Sequence, residues 1–394
     1  MENRVAQRAA NIKPSPTLAV TAKAAELKAA GRDIIALSAG EPDFDTPEHI
    51  KEAAVKAIRD GKTKYTAAGG MPELKQAVAD KFLRENSLTY GPDQILVSCG
   101  AKHSIYNVMQ ALLNPGDEVI IPSPYWVSYP DMAKLAGAEP VAIRAGIRQR
   151  FKITGKQLER FITGNTRLVM LNSPSNPTGV SYSDTELTEL AAVLVEHPEI
   201  VVLTDDIYEH ILWGQDGFRN ILNACPELAD RTIVVNGVSK AYSMTGWRIG
   251  YLGGPPALVK AAQKIQSQST SNPSSVSQYA ALAALNGDQT YINQSTAIFK
   301  QRHDFVHAGL NAINGVECTA SDGTFYSFPN MQGVIDRLDG IKNDVELGEY
   351  LLERAEVALV PGSAFGAKGY MRLSYATSME NLETAIERLR AALD

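Results

Sequence analysis

"QILVSCGAKHSIYNVMQALL", Gln94 to Leu113, holds a complete structural unit. The run Ile95–Val97 is short and apolar, as a buried strand is. From Ala101 onward Ile105, Val108, Met109 and Leu112 recur at the spacing of one helix face. Gly100 stands between the two, opening the helix. The unit recurs downstream. "DEVIIPS" (Asp117–Ser123) follows the turn signal "NPGD", and "RLVMLN" (Arg167–Asn172) precedes "SPSNPTG" and the helical "DTELTELAAVLVEH". "IVVLTDD" (Ile200–Asp206) and "RTIVV" (Arg231–Val235) continue the series. Strand, loop and helix in repetition predict crossover units, hence an α/β fold with a mostly parallel sheet flanked by helices. From about Tyr291 the pattern changes to long charged helices, the strand-like "FYSFPN" and an apolar alternation in "YMRLSYA". We therefore expect a large domain over 45–290 and a smaller α+β domain built from both chain ends, 1–44 and 291–394.

Composition narrows the function classes. The chain has 394 residues, enough for more than one core, and its 44% hydrophobic and 21% charged content is that of a soluble globular protein. A formal net charge of −6 argues against nucleic acid or an anionic membrane as the main partner. Cys99, Cys225 and Cys318 are far apart, matching neither a disulfide framework nor a zinc spacing. The opening "MENRVAQRAANIKPSPT" has no apolar h-region, and no later segment reaches the length of a membrane span. A soluble cytoplasmic protein is expected. "HDFVH" sets His303 and His307 four apart on a helix but lacks the glutamate of a zinc protease, so it reads as a helix-surface pair.

In a parallel sheet, ligands bind beyond the carboxyl ends of the strands, so the residues just past each apolar run carry the most information. "QILVS" leads to "CGAK", a helix start whose free N–H groups suit a phosphate. "DEVIIPS" leads to Trp126, a flat aromatic surface, and "RLVMLN" to Asn176, a neutral donor. "IVVLT" leads to Asp205 and Tyr208, with Asp206 left to cap a helix or face solvent. "TIVV" leads to "NGVSKAYSMTGWRIGY", with Lys240 and, eight positions on, Arg248. Phosphate cup, aromatic plate, amide, carboxylate, phenol and lysine thus leave one sheet edge. These parts match the needs of pyridoxal phosphate: an amine for its aldehyde, a carboxylate for its ring nitrogen, an aromatic face and an anion site.

The sequence resembles the class I aminotransferases of pyridoxal-phosphate fold type I, in particular the bacterial aspartate aminotransferase branch. The resemblance runs from "KPSPTLAVTAKA" through "SAGEPDFDTP", "KTKYTAAGG", "SPYWVSYP", "SPSNPTG", "DDIYEH" and "SKAYSMTGWRIGY" to "MRLSYATS". It implies that Lys240 bonds the cofactor aldehyde and moves the substrate proton, with Asp205 on the ring nitrogen. Tyr208 and Asn176 would reach the ring's phenolic oxygen, and Trp126 would stack on the ring. Ala101, Lys102, Ser239 and Arg248 would hold the phosphate. Tyr65 resembles a tyrosine that reaches the phosphate of a neighbouring subunit, which implies a homodimer with shared sites. Arg372 matches the arginine that grips the substrate α-carboxylate, and Gly40 a backbone contact to the same group.

The resemblance also bears on substrates, which would be amino acids and 2-oxo acids. "QSQSTSNPSS" has no arginine for a distal carboxylate, so the task falls to Lys102, Ser15 and Thr17. Lys13 holds the position that contacts the second carboxylate of prephenate in some members of the branch. The implied activity is aspartate:2-oxoglutarate amino transfer, with prephenate as a second acceptor. An aminotransferase of aromatic or alanine specificity, a β-lyase on the same fold, and a non-catalytic aminotransferase-like protein stay open at this point.

Overall fold

The computed structural model describes residues 5–12, 14–214 and 217–394. Lys13 lies outside them. Seven strands form the main sheet: β1 (Ile95–Ser98), β2 (Glu118–Ser123), β3 (Glu139–Arg144), β4 (Thr166–Asn172), β5 (Val201–Asp205), β6 (Thr232–Gly237) and β7 (Gly250–Gly253). Their order across the sheet is β1-β7-β6-β5-β4-β2-β3. Only β7 runs against its neighbours, pairing antiparallel with β1 and β6. The α/β architecture and the mostly parallel sheet are those expected. β3 and β7 carry no clear apolar run: β3 is an edge strand whose side chains are largely exposed, and β7 is half glycine.

Both faces of the sheet are covered, as parallel strands require. Alternate residues serve opposite cores. Leu96, Ile121, Met170, Leu203, Val235 and Leu252 enter one apolar cluster, while Val97, Ile120, Leu171, Val202, Val234 and Tyr251 enter the other. A third cluster lies among the chain ends, with Leu37, Phe299, Val306, Phe325, Leu347, Met371 and Leu373. The segment after β5 joins it through Ile207, Tyr208 and Ile211. Asp205 therefore belongs to the sheet while Tyr208, three residues on, is packed into a different core.

The chain ends form their own short pairings. Ile35–Ala36 lies parallel to Val357–Ala358. Met371–Ser374 is flanked antiparallel by Val360–Pro361 and Tyr326–Ser327. Arg372 thus points from a strand made by the last part of the chain, and the register sets Ser374 opposite Tyr326. No helix among the described residues is long and apolar enough to cross a membrane.

Close backbone approach fixes the helix start at the sheet edge. Gly100 has φ +90°, a left-handed value that suits glycine, and helix Ala101–Leu112 begins after it. Gly250 faces this turn across the β1–β7 pairing. A Cβ built on Gly250 would lie 2.1 Å from the Ala101 nitrogen and 2.3 Å from the Gly100 carbonyl carbon. Those are backbone atoms and cannot rotate away. Gly250→Ala is expected to lower stability by about 1–3 kcal/mol, the usual cost of overpacking. Gly246→Ala, with nothing within 4 Å of its added methyl, is expected to stay within about 0.5 kcal/mol of the parent. Chemical denaturation of both variants checks this, and equal midpoints would contradict it.

Candidate active site

The loops at the carboxyl ends of β1, β2, β4, β5 and β6 open onto one cavity of about 420 Å³. This is within the size range of small-molecule sites. Ala101, Lys102, Trp126, Asn176, Asp205, Tyr208, Ser239, Lys240 and Arg248 all line it. The chain ends complete the wall with Ser15, Thr17, Gly40, Glu41, Tyr326 and Arg372. Every described residue singled out in the sequence for cofactor or substrate therefore faces one space, except Tyr65. Tyr65 is 93% exposed and does not line the cavity of its own chain.

Lys240 lies at the centre. Its Nζ donates to the Gly40 carbonyl at 2.6 Å and lies 5.8 Å from the Tyr208 ring centre. Burial lowers its pKa to about 8; Glu41 pulls the value up, while Arg248 and Arg372 push it down. A lysine so placed spends part of its time as a neutral amine near neutral pH, the form a nucleophile or base needs.

Asp205 is 4% exposed. Burial raises its pKa to about 6, opposed by hydrogen bonds from Tyr129 and the Ile207 N–H and by the Lys240 charge. The Tyr129 hydroxyl donates to Oδ2 at 2.6 Å. Asn172, paired with Asp205 in the β4–β5 register, donates from Nδ2 to the Asp205 carbonyl at 2.8 Å. Its Oδ1 accepts from the Asn176 N–H at 2.9 Å, so the same side chain orients the loop that carries Asn176.

Arg372 is 2% exposed, a fully ionised group held by neutral partners. Nη1 donates to Asn176 Oδ1 at 3.0 Å and Nη2 to the Ser38 carbonyl at 2.7 Å. Its guanidinium lies 4.5 Å from the Tyr326 ring centre and 5.0 Å from that of Phe365. Nε is buried without a partner among the described residues, as is Thr17 Oγ1. A buried cation with no carboxylate on it is costly alone and suits an anionic ligand. Tyr208 and Tyr326 share a hydroxyl hydrogen bond of 3.0 Å beside it.

The other end of the cavity is cationic as well. Arg248, at φ +55°, turns its guanidinium toward the β1 loop, where Nη2 donates to the Cys99 carbonyl at 3.4 Å, while Nη1 donates to the Thr245 carbonyl at 2.8 Å. Lys102 Nζ lies 4.7 Å from the Trp126 ring centre, and burial together with Arg248 pushes its pKa down. Trp126 meets Tyr129 edge to face, with centroids 5.3 Å apart. Lys102, Lys240, Arg248 and Arg372 thus outnumber the wall carboxylates Glu41 and Asp205.

Sequence reasoning missed Tyr129, Tyr326 and Asn172. Tyr129 had a signal: it follows Trp126 by three residues, and its N–H bonds the Trp126 carbonyl in one turn. Tyr326 had none, because only the pairing with the strand of Arg372 brings it here. Two expectations fail. Asp206 neither caps a helix nor faces solvent: it is 1% exposed, accepts from Thr204 Oγ1 at 2.5 Å and from Asn220 Nδ2, and burial raises its pKa to about 8. His303 is buried rather than on the helix surface, and its Nε2 accepts from the Ser321 N–H at 3.0 Å.

Known proteins resemble this chain over nearly its whole length. The family model "Aminotransferase class I and II" matches residues 32–389. An aspartate/prephenate aminotransferase of Nitrosomonas europaea is 57% identical, covering 99% of this chain and 100% of its own. The crystal structure of the aspartate aminotransferase from Rhizobium meliloti superposes with a TM-score of 0.96 at 50% identity, covering 99% of each chain. That of the Thermus thermophilus aspartate aminotransferase with maleate gives 0.94 at 42% identity, again over 99% of each.

The lowered Lys240 pKa has a thermodynamic consequence. The folded value lies below the unfolded one, so between about pH 8 and 10.5 the unfolded chain binds more protons and stability rises with pH. The cost of burying the charge is present in full below about pH 8. Because Lys240 opens onto the cavity, solvent screens part of it, leaving about 1–3 kcal/mol. In cofactor-free protein, Lys240→Met should raise the melting temperature at pH 7 and lose that advantage by pH 10.5. Thermal melts across this range check it; an advantage that is constant with pH would refute the charge-burial account.

Proposed function

The chain belongs to the class I and II aminotransferase family, and from that membership we propose that it is a pyridoxal-phosphate enzyme transferring the amino group of L-aspartate to 2-oxoglutarate. The products are oxaloacetate and L-glutamate, with prephenate a second acceptor that yields arogenate. The observation that carries this reading is the convergence of Lys240, Asp205 and Arg372 on one cavity of about 420 Å³.

The donor set fits the cofactor. Lys240 offers an amine of lowered pKa, Asp205 a buried carboxylate, and Trp126 an aromatic face. The start of helix Ala101–Leu112, with Ser239 and Arg248, offers an anion site. When bound there, pyridoxal phosphate supplies an aldehyde that carries the amino group and a ring that takes up electron density from the substrate Cα. Asp205 would hold the ring nitrogen protonated, and its own anionic form is favoured by the Tyr129 hydroxyl. Tyr208 and Asn176 serve the phenolic oxygen.

The substrate α-carboxylate takes the Arg372 fork, beside the Gly40 backbone. Lys240 Nζ, already lodged next to Gly40, would take the Cα proton of the amino acid and hold it as an ammonium. The distal carboxylate meets Lys102, Ser15 and Thr17, and Thr17 Oγ1, which bonds none of the described residues, donates to it. Maleate, named with the Thermus relative, is likewise a dicarboxylate. We place the protein in the cytoplasm as a homodimer in which Tyr65 of each copy, exposed on its own chain, reaches the phosphate of the other. The chain divides into 45–290 and the joined ends 1–44 and 291–394.

Coupled assays of oxaloacetate and arogenate formation test the reading. Arg372→Ala should lower kcat/KM for aspartate at least about 100-fold, the factor that losing about 3 kcal/mol of buried charge pairing represents. Lys13→Ala should cut the rate on prephenate about tenfold or more while leaving aspartate:2-oxoglutarate exchange within about twofold. Equal, negligible rates on prephenate in parent and variant would remove prephenate from the proposal, and absence of oxaloacetate would remove the aspartate assignment.

A further inference from the structure

Behind the cavity wall, one residue past Tyr208, lies a buried ionic joint that none of the steps above uses. Glu209 is 6% exposed and its carboxylate accepts from three donors: the Lys81 ammonium, Asn86 Nδ2 at 2.5 Å and Asn236 Nδ2 at 2.8 Å. Lys81 is fully buried on helix Pro72–Asn86 and also donates to Asn86 Oδ1 at 2.8 Å. Asn236 lies on β6, four residues before Lys240, and its Oδ1 accepts from the Gly237 N–H at 2.7 Å. None of Glu209, Lys81, Asn86 and Asn236 lines the cavity.

A buried lysine–glutamate pair is a poor source of stability, because removing both charges from water offsets most of their attraction. Its geometry, by contrast, is specific. The β5–β6 ladder ends with Asp205 opposite Val235, so past that pair the sheet no longer fixes the two loops against each other. There Glu209, on the loop of Asp205 and Tyr208, is bonded to Asn236, on the strand leading to Lys240. The helix behind both supplies the other two donors. A carboxylate with three fixed donors in a dry interior has little freedom to shift.

We propose that Glu209, seated on Lys81 and tied to Asn236, is a positioning residue that sets the separation between the Asp205–Tyr208 segment and the end of β6 that leads to Lys240. The inference rests on reading the cavity as a pyridoxal-phosphate site. It assigns Glu209 no contact with cofactor or substrate. Loosening the joint lets the carboxylate and the amine drift relative to one ring, which lowers turnover more than substrate binding, since the α-carboxylate is held elsewhere by Arg372.

The test compares Asn236→Ala, Asn86→Ala and the double variant Lys81→Met with Glu209→Gln. Each is assayed for melting temperature without cofactor, for the Kd of pyridoxal phosphate by equilibrium dialysis, and for kcat and KM of aspartate at saturating cofactor. Asn236→Ala should raise Kd and lower kcat about tenfold each, with KM within twofold. Asn86→Ala, which leaves the tie to β6 intact, should move neither constant beyond twofold even where it costs as much stability. The double variant, whose pair is neutral, should keep its melting temperature near the parent's and still show the Kd and kcat changes. Kd and kcat within twofold of the parent in folded Asn236→Ala would overturn the proposal. So would changes in both asparagine variants that follow their melting temperatures. Should the double variant not fold, Asn236→Ala decides alone, since it strands no charge on a lysine. A parent protein that binds no pyridoxal phosphate overturns the cavity reading itself, before any variant is compared.

Discussion

The hydrogen bond from Lys240 Nζ to the Gly40 carbonyl, 2.6 Å long, joins the loop after β6 to a segment two hundred residues earlier in the chain. Its neighbours make the same crossing. Ser38 accepts from Arg372, Glu41 from Thr245, and Thr46 donates to the Ser243 carbonyl at 2.6 Å while accepting from Trp247. Asp43 takes a two-point ion pair from Arg302, at 2.6 and 2.8 Å, on the long helix Thr290–Asn311. The stretch from Ser38 to Thr46 is thus a strap laid across the lysine loop and tied on both sides. The cavity exists because that strap closes what the sheet edge leaves open.

The chemistry comes from where charge is buried. Parallel strands deliver their carboxyl ends to one edge, and the side chains delivered there are ionic: Asp205, Lys240 and, across the strap, Arg372. Asp205 and Arg372 are buried and Lys240 is half-buried at the cavity wall, none with a full counter-charge, and the pKa of Lys240 and that of Asp205 move toward neutrality for that reason. Such an arrangement is destabilising by itself and is held by the rest of the fold. It becomes favourable with a dianionic cofactor and a dicarboxylate substrate in place, because then each buried charge has its partner. A scaffold that keeps a lysine near its neutral form while holding an arginine fully charged in the same cavity separates a base from an anion clamp, as amino transfer requires.

Much of this is legible in the chain. Lys240 lies just past the apolar run "TIVV", Asp205 past "IVVLT", and Asn176 past "RLVMLN" in a proline loop. Parallel topology then forces them together, because the direction of each strand is implied by its crossover helix. The illegible part depends on register or on contacts between distant segments. Tyr326 reaches the site only because Ser374 lies opposite it, and Glu209 looks like an ordinary loop acid until Lys81 is seen beneath it. Asp206 is misjudged from sequence for a similar reason: one residue decides which side of the chain faces the cavity, and its neighbours Thr204 and Asn220 are visible only in the fold. β7 escapes notice because two glycines, placed for close backbone approach, remove the apolar signal of a strand.

At the centre stands the claim that Lys240, Asp205 and Arg372 form one amino-transfer site rather than a lyase or a silent binding pocket. Mixing the pyridoxal-phosphate-loaded protein with excess aspartate and no acceptor, then counting oxaloacetate and ammonia, tests it most directly. A transfer site should release one oxaloacetate per chain, stop, and produce no ammonia, and it should resume when 2-oxoglutarate is added. Continued release of oxo acid together with ammonia, or no oxaloacetate at all, would contradict the claim.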